Sequence, residues 1–120
     1  IPPSIAAGLA MQNIIEKDNL FQRSKDMSPY FLDGLFSLKD IDIITDIRGY
    51  GMLGGIDVRF DERPGKAGYT CFKKLFEAGL SLKATGDCLI VAPPFICEKN
   101  HIDEIIEKLR SGITAYQKSL

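Results

Sequence analysis

Apolar side chains recur along this chain with two different periods, and the changes between them divide it into helices and strands. Ile5, Leu9, Ile14 and Ile15, with Ala6, Ala7 and Ala10 between them, form a nearly all-apolar helical stretch after Pro2-Pro3, with Ser4 placed to cap it. A helix apolar on all sides is normally buried on several sides. Asn19-x-x-Gln22 has capping-box spacing and predicts the start of a second helix. Its apolar positions Leu20, Met27, Phe31, Leu35 and Leu38 keep one face through Pro29, which predicts one helix kinked there rather than two.

From Ile41 to Arg48 the period shortens. Ile41, Ile43 and Ile47 alternate with Asp42, Thr45 and Asp46, interrupted by Ile44, and Met52 to Phe60 reads as a second strand. Between them Gly49-Tyr-Gly51-Met-Leu-Gly54 satisfies G-x-G-x-x-G, but a dinucleotide loop needs a helix after the glycines. The β-branched Gly55-Ile-Asp-Val-Arg-Phe60 follows instead, so the glycines bend a hairpin or admit a second backbone. Asp61 to Gly65 reads as a turn. Ala67, Cys71, Phe72, Leu75 and Phe76 then make a helical stripe that stops at Gly79.

Leu80, Leu82 and Ala84 alternate with Ser81, Lys83 and Thr85, which places Lys83 mid-strand on an accessible face. Gly86-Asp87 is a two-residue hairpin signal and Cys88 to Ala92 reads as a fully buried return strand. That loop length pairs Thr85 with Cys88 and Lys83 with Ile90. After Pro93-Pro94, Ile102, Ile105, Ile106, Leu109, Ile113 and Tyr116 form a last amphipathic helix, with Asp103, Glu104, Glu107, Lys108 and Arg110 on its outer face. The order ααββαββα predicts an α+β fold with helices on one face of a mostly antiparallel sheet.

Composition narrows the class of partner. At 120 residues the chain is one domain able to bury roughly two thirds of its unfolded surface. Fifteen basic against sixteen acidic side chains, with no run of five like charges, give neither nucleic acid nor membrane an obvious attraction. No apolar stretch is long enough to span a bilayer and no secretion signal opens the chain, which reads as cytoplasmic. It begins Ile-Pro-Pro without an initiator methionine, which suggests a piece of something longer. Cys71, Cys88 and Cys97 lack C-x-x-C spacing and have only His101 for company, which argues against zinc and for reduced, packed thiols.

Catalytic constellations are thin. His101 is the one histidine, at the start of a charged helix, and G-x-S-x-G is absent, so a nucleophilic triad has no support. Acid pairs such as Asp42 with Asp46 or Asp61 with Glu62 fall in turns or on a wet strand face. Arg48 and Lys83 are the cations best placed to be held by a sheet. Arg48 reads as a surface residue by default, while Lys83 is either a snorkelling surface lysine or an anion contact.

Several segments resemble one family. Asp46-Ile-Arg-Gly-Tyr-Gly-Met-Leu-Gly-Gly-Ile-Asp57, Pro64-Gly-Lys-Ala-Gly-Tyr69, Ala84-Thr-Gly-Asp87 and Ala92-Pro-Pro-Phe95, with Ile102-Asp103 after them, resemble the C-terminal part of class III pyridoxal-phosphate aminotransferases. The similarity is greatest to the omega-amino acid or β-alanine:pyruvate branch, to which Pro-Gly-Lys-x-Gly-Tyr points, and Ala6-Ala-Gly-Leu-Ala10 resembles the family's alanine-rich helix. Essentially the whole chain is covered, in order.

The resemblance implies a fold type I enzyme whose larger domain binds pyridoxal 5'-phosphate and whose C-terminal small domain, residues 1–120 here, closes over the substrate. The Schiff-base lysine and phosphate cup of the family lie upstream, so no catalytic or cofactor-binding residue is assigned and the fragment alone should not transaminate. It also implies an amino donor, a keto-acid acceptor and a homo-oligomer, dimer or tetramer. The family branch carries a substrate-carboxylate arginine four residues before the Gly-Asp aspartate, and Lys83 stands there. Lysine keeps the charge and loses the planar two-pronged bond. A second departure is Ile1, where the family has a histidine. Two other readings stand beside this one: a free-standing α+β domain using Lys83 for a small anion, and a structural module without ligand.

Overall fold

Helices and strands alternate in the order that the periodicities predict. The structure, a computed structural model, describes residues 1–59 and 63–120. It comprises α1 (Pro2–Lys17), α2 (Leu20–Phe36), a short 3-10 turn (Ser37–Asp40), β1 (Ile44–Tyr50), β2 (Leu53–Val58), α3 (Ala67–Glu77), β3 (Lys83–Thr85), β4 (Cys88–Val91) and α4 (Lys99–Lys118). The strands form one sheet in the order β1-β2-β4-β3, antiparallel at every pairing. The ends of two expected elements, the strand running to Phe60 and the turn from Asp61, fall on residues 60–62, outside the described residues.

One face of this sheet makes the core. Ile56 and Val58 of β2 and Leu89 and Val91 of β4 point to the same side by strand alternation, and all four are buried. Phe31 and Leu35 of α2, Cys71 and Leu75 of α3, and Leu109, Ile113 and Tyr116 of α4 complete the cluster. Helices cover that face alone. The return strand is therefore not buried throughout: Cys88 and Ile90 are half-buried on the other face, between buried Leu89 and Val91. Phe76, placed in the helical stripe of α3, is also exposed, since only the face carrying Cys71 and Leu75 meets the core.

Local rules fix most element ends, sometimes by unexpected residues. α2 runs unbroken through Pro29, as the unreset periodicity predicts. Its start is not a capping box: Asn19 adopts a left-handed conformation with φ of 52° and makes no side-chain cap, and Gln22 Nε2 donates to Asp26 Oδ1 at 2.8 Å. Asparagine tolerates that conformation at little cost, so it serves the turn between α1 and α2. α1 likewise starts at Pro2 rather than after Ser4, because proline suits the first helical turn. A capping box does open α4, where Glu98 accepts from the first-turn backbone and His101 Nδ1 accepts the Glu98 N–H at 2.9 Å. The first strand starts three residues later than the alternation suggests, at Ile44. Ile41 and Ile43 are buried in the approach to it, with the Ile43 N–H bonded to Gln117 Oε1 at 2.8 Å.

Two close approaches require glycine. Gly112 of α4 sits where α3 crosses, and a Cβ there would lie 2.4 Å from Leu75 Cδ2 and 3.0 Å from Leu75 Cα. Gly68, in the first turn of α3, abuts the β3–β4 hairpin: a Cβ would stand 2.6 Å from the Gly86 carbonyl oxygen. The expectation for α1 does not hold within this chain, since no residue of the helix is buried and Ile5, Leu9, Met11 and Ile14 are all exposed. Its only substantial neighbour among the described residues is α2.

Candidate functional site

The open face of the sheet carries both cations that the sequence singles out. Strand register sets them in one transverse row: Arg48 of β1 lies opposite Gly55 of β2, Gly55 opposite Ile90 of β4, and Ile90 opposite Lys83 of β3. The two cations are thus three strand spacings apart, roughly 14 Å. A second row holds Asp46, Asp57, Cys88 and Thr85. The pairings of Lys83 with Ile90 and Thr85 with Cys88 are those that a two-residue Gly86-Asp87 loop dictates. Gly86 takes a positive φ of 57°, which glycine adopts without steric cost.

Arg48 is committed to its own sheet. Its guanidinium reaches Asp46 Oδ2 at 2.8 Å and Asp57 Oδ2 at 3.0 Å, and it lies across Gly55, where a Cβ would come within 3.4 Å of it. Hydrogen bonds from Asp57 and Asp46, together with the charge of Asp57, push its pKa further up. The same contact holds the Asp57 carboxyl below the usual carboxylate value, the Arg48 hydrogen bond being the largest cause, with partial burial opposing it. Only the alternation of Asp46 with Arg48 was visible in one strand. Asp57 joins them through hairpin register, which the glycine turn fixes.

A pH effect follows. Because the Asp57 pKa is depressed in the folded state, its pairing stabilises the fold above the unfolded carboxylate pKa, near 4, and that contribution is lost as pH falls through the lower folded value. The variant D57N is expected to be less stable than the parent at pH 7 and to lose less stability on acidification to pH 3. Urea midpoints at the two pH values check this, and an equal acid loss in both proteins would contradict it.

Lys83 differs from Arg48 in being uncommitted. Its side chain is exposed, but at the first residue of β3 rather than at mid-strand, because the ladder to β4 begins at the Lys83–Ile90 pair; among the described residues it makes no ion pair and no side-chain hydrogen bond. It borders a hollow of about 350 Å³ with Leu82, Ile90, Ala92 and Pro93. Ile90 is shared with a neighbouring depression of about 540 Å³, lined by Arg48, Tyr50, Leu53, Gly55 and Thr85. An exposed, unpaired ammonium therefore stands at the rim of an apolar floor, an arrangement suited to a small anion with an apolar portion.

The hairpin that presents Lys83 is tied down at its turn. The Asp87 carboxylate accepts the Gly65 N–H at 2.9 Å and the Ala67 N–H at 3.0 Å, the Gly68 N–H donates to the Gly86 carbonyl at 3.0 Å, and the Val58 N–H donates to the Asp87 carbonyl at 2.9 Å. The segment after β4 is held by Arg23, whose guanidinium donates to the carbonyls of Phe95, Ile96 and Cys97 at 3.1, 3.2 and 3.1 Å. Neither anchor was apparent from the sequence, because each joins residues at least eighteen positions apart.

The remaining candidates do not assemble a reactive centre. Burial pushes the Cys71 thiol up to about 12, and also raises Cys88 and Cys97. Three free cysteines lie apart, and among the described residues no group of three histidine, cysteine or acidic side chains could hold a metal ion. No helix among the described residues is long and apolar enough to cross a membrane. His101 is exposed and occupied as the α4 cap.

Comparison with known proteins covers nearly the whole chain. The family profile Aminotransferase class-III matches residues 2–113. The chain is 36% identical over 112 residues to an omega-aminotransferase of Caulobacter vibrioides, covering 91% of this chain and 25% of that protein. It is 32% identical over 113 residues to a beta-alanine–pyruvate aminotransferase of Pseudomonas aeruginosa, covering 93% and 25%. A solved transaminase structure with L-alanine superposes with a TM-score of 0.86 at 27% identity, covering 92% of this chain and 28% of that one. The chain spans about a quarter of the length of the curated relatives it matches.

Proposed function

The chain belongs to the class III aminotransferases, and from that membership we propose that residues 1–120 are the C-terminal small domain of a pyridoxal-phosphate transaminase. In the complete protein an amino group passes from an omega-amino acid or amine to a keto acid such as pyruvate. The observation that carries this reading is the uncommitted ammonium of Lys83 at the rim of an apolar hollow, where the resemblance leads us to expect the family's substrate-carboxylate arginine. Its similarity to an omega-aminotransferase and a beta-alanine–pyruvate aminotransferase supports the choice of donor and acceptor class.

Lys83 Nζ donates to the substrate carboxylate and supplies the compensating charge. An exposed, flexible stem lets the ammonium swing aside when a substrate carries no carboxylate. Ile90, Leu82 and Pro93 exclude water from the aliphatic part of the substrate. Arg48 cannot replace Lys83, because Asp46 and Asp57 already neutralise it and hold it across Gly55.

Pyridoxal phosphate, when bound, supplies the carbonyl and the electron sink that amino transfer needs. The residues of this chain do not form its site: no charged side chain among the described residues is buried, so no lysine here offers the dry pocket in which an amine is activated for a Schiff base. The cofactor is held elsewhere in the complete protein, and the 120 residues alone are inactive. The exposed apolar face of α1 is accordingly covered in a cytoplasmic homo-oligomer, either by the cofactor domain or by a second subunit. The test is optical. In the complete cofactor-loaded protein, an omega-amino acid is expected to bleach the cofactor's visible absorption and pyruvate to restore it, whereas a spectrum indifferent to both would contradict amino transfer.

A further inference from the structure

The hairpin that carries Lys83 has little to hold it. β3 is three residues long, lies at the edge of the sheet and has a ladder partner on one side only. Lys83 is its first residue, and the apolar packing of the strand itself comes from Ala84. A flexible side chain on a loosely held edge strand binds a small anion weakly, since binding must then fix the backbone as well as the side chain.

The turn provides the missing restraint. α3 has no cap of its own: Lys66 stands at the N-cap and offers no side-chain acceptor, and no acidic residue lies in the first turn. The Asp87 carboxylate fills that place from the hairpin, accepting the Gly65 and Ala67 N–H groups with Oδ1 and the Gly65 N–H again with Oδ2 at 3.0 Å. Its charge faces the positive end of the helix, which strengthens the contact. Gly68, lacking a Cβ, lets the Gly86 carbonyl approach and accept the next N–H. The Pro64–Tyr69 segment and the Ala84–Asp87 segment, separate in sequence, therefore form one joint.

We infer that Asp87 is a positioning residue for substrate-carboxylate recognition: by capping α3 from the hairpin, it fixes the strand from which Lys83 reaches the carboxylate. This inference rests on the Lys83 reading. Asp87 touches no substrate and acts through the backbone that carries Lys83.

The experiment is a cycle of variants in the complete, cofactor-loaded enzyme, with pyruvate as acceptor. D87N, which keeps one acceptor oxygen and loses the charge, is expected to raise KM for pyruvate about two- to fivefold, the factor typical of losing a negative charge at a helix N-terminus, with kcat at saturating pyruvate held within about twofold. D87A is expected to raise it further. In a K83A background, D87N is expected to leave KM for pyruvate where K83A put it. If K83A raises KM and D87N does not, or if D87N raises it equally in both backgrounds, the positioning role is overturned while the Lys83 reading stands. If K83A itself leaves KM unchanged, the Lys83 reading fails, and the positioning role with it.

Discussion

G112V is expected to destabilise the protein by about 3 kcal/mol or more, because the steric collision of a branched side chain outweighs the few tenths of a kcal/mol, roughly, by which valine exceeds glycine in helix propensity. Gly112 is buried where α4 crosses α3, and even a single methyl would lie 3.0 Å from the Leu75 Cα, a backbone atom that moves only with its helix. Alanine would regain about 1 kcal/mol of helix propensity at that position and still has to force the helices apart, so G112A is expected to be destabilising by about 1 to 2 kcal/mol. Leu75 and Ile113 are fully buried beside the crossing, which leaves the collision no exposed direction in which to relax. Denaturant midpoints of parent, G112A and G112V should fall in that order. A G112V protein as stable as the parent would show that the two helices do not cross at this glycine.

K83E is expected to lower kcat/KM for pyruvate by about a hundredfold or more in the complete enzyme. Removing a charge-assisted hydrogen bond costs about 1.5 to 3 kcal/mol, and a carboxylate in its place adds repulsion between like charges. Arg48, the cation in the same row of this face, does not compensate, because it is already bound to Asp46 and Asp57. K83R is expected to act in the opposite direction and lower KM, since guanidinium presents two parallel donors to a carboxylate where ammonium presents a point charge. Steady-state kinetics over a range of pyruvate concentrations checks both. A K83E enzyme with parental kcat/KM would remove Lys83 from the site.

How much of this was legible beforehand depended on the range of the interaction. The hairpin register could be read from two letters, Gly86-Asp87, because a two-residue loop leaves one pairing for Lys83 and another for Thr85, and both occur. The glycine-rich segment before β2 was likewise readable as a bend rather than a nucleotide loop, from the β-branched residues after it. The helix starts were less legible. Asn19 has the composition of a cap and instead takes a positive φ, while Glu98 and His101, a pairing outside the usual cap alphabet, do form a capping box. The burial of β4 was overread because an apolar run looks the same whether one face of a sheet is covered or two.

At the candidate site the chain gave the residue and withheld its setting. Lys83 was visible as a lone cation in an apolar hairpin, and the family resemblance implied the role proposed for it. The commitment of Arg48 depends on Asp57 arriving from the next strand. The cap that Asp87 places on α3 joins positions twenty and twenty-two residues apart, and no local periodicity encodes it.

The most direct measurement compares two acceptors in K83A of the complete enzyme, pyruvate and an aliphatic aldehyde of similar length that lacks a carboxylate. Carboxylate recognition by Lys83 predicts that KM for pyruvate rises about tenfold or more and that KM for the aldehyde changes much less. Equal changes for the two acceptors would contradict it.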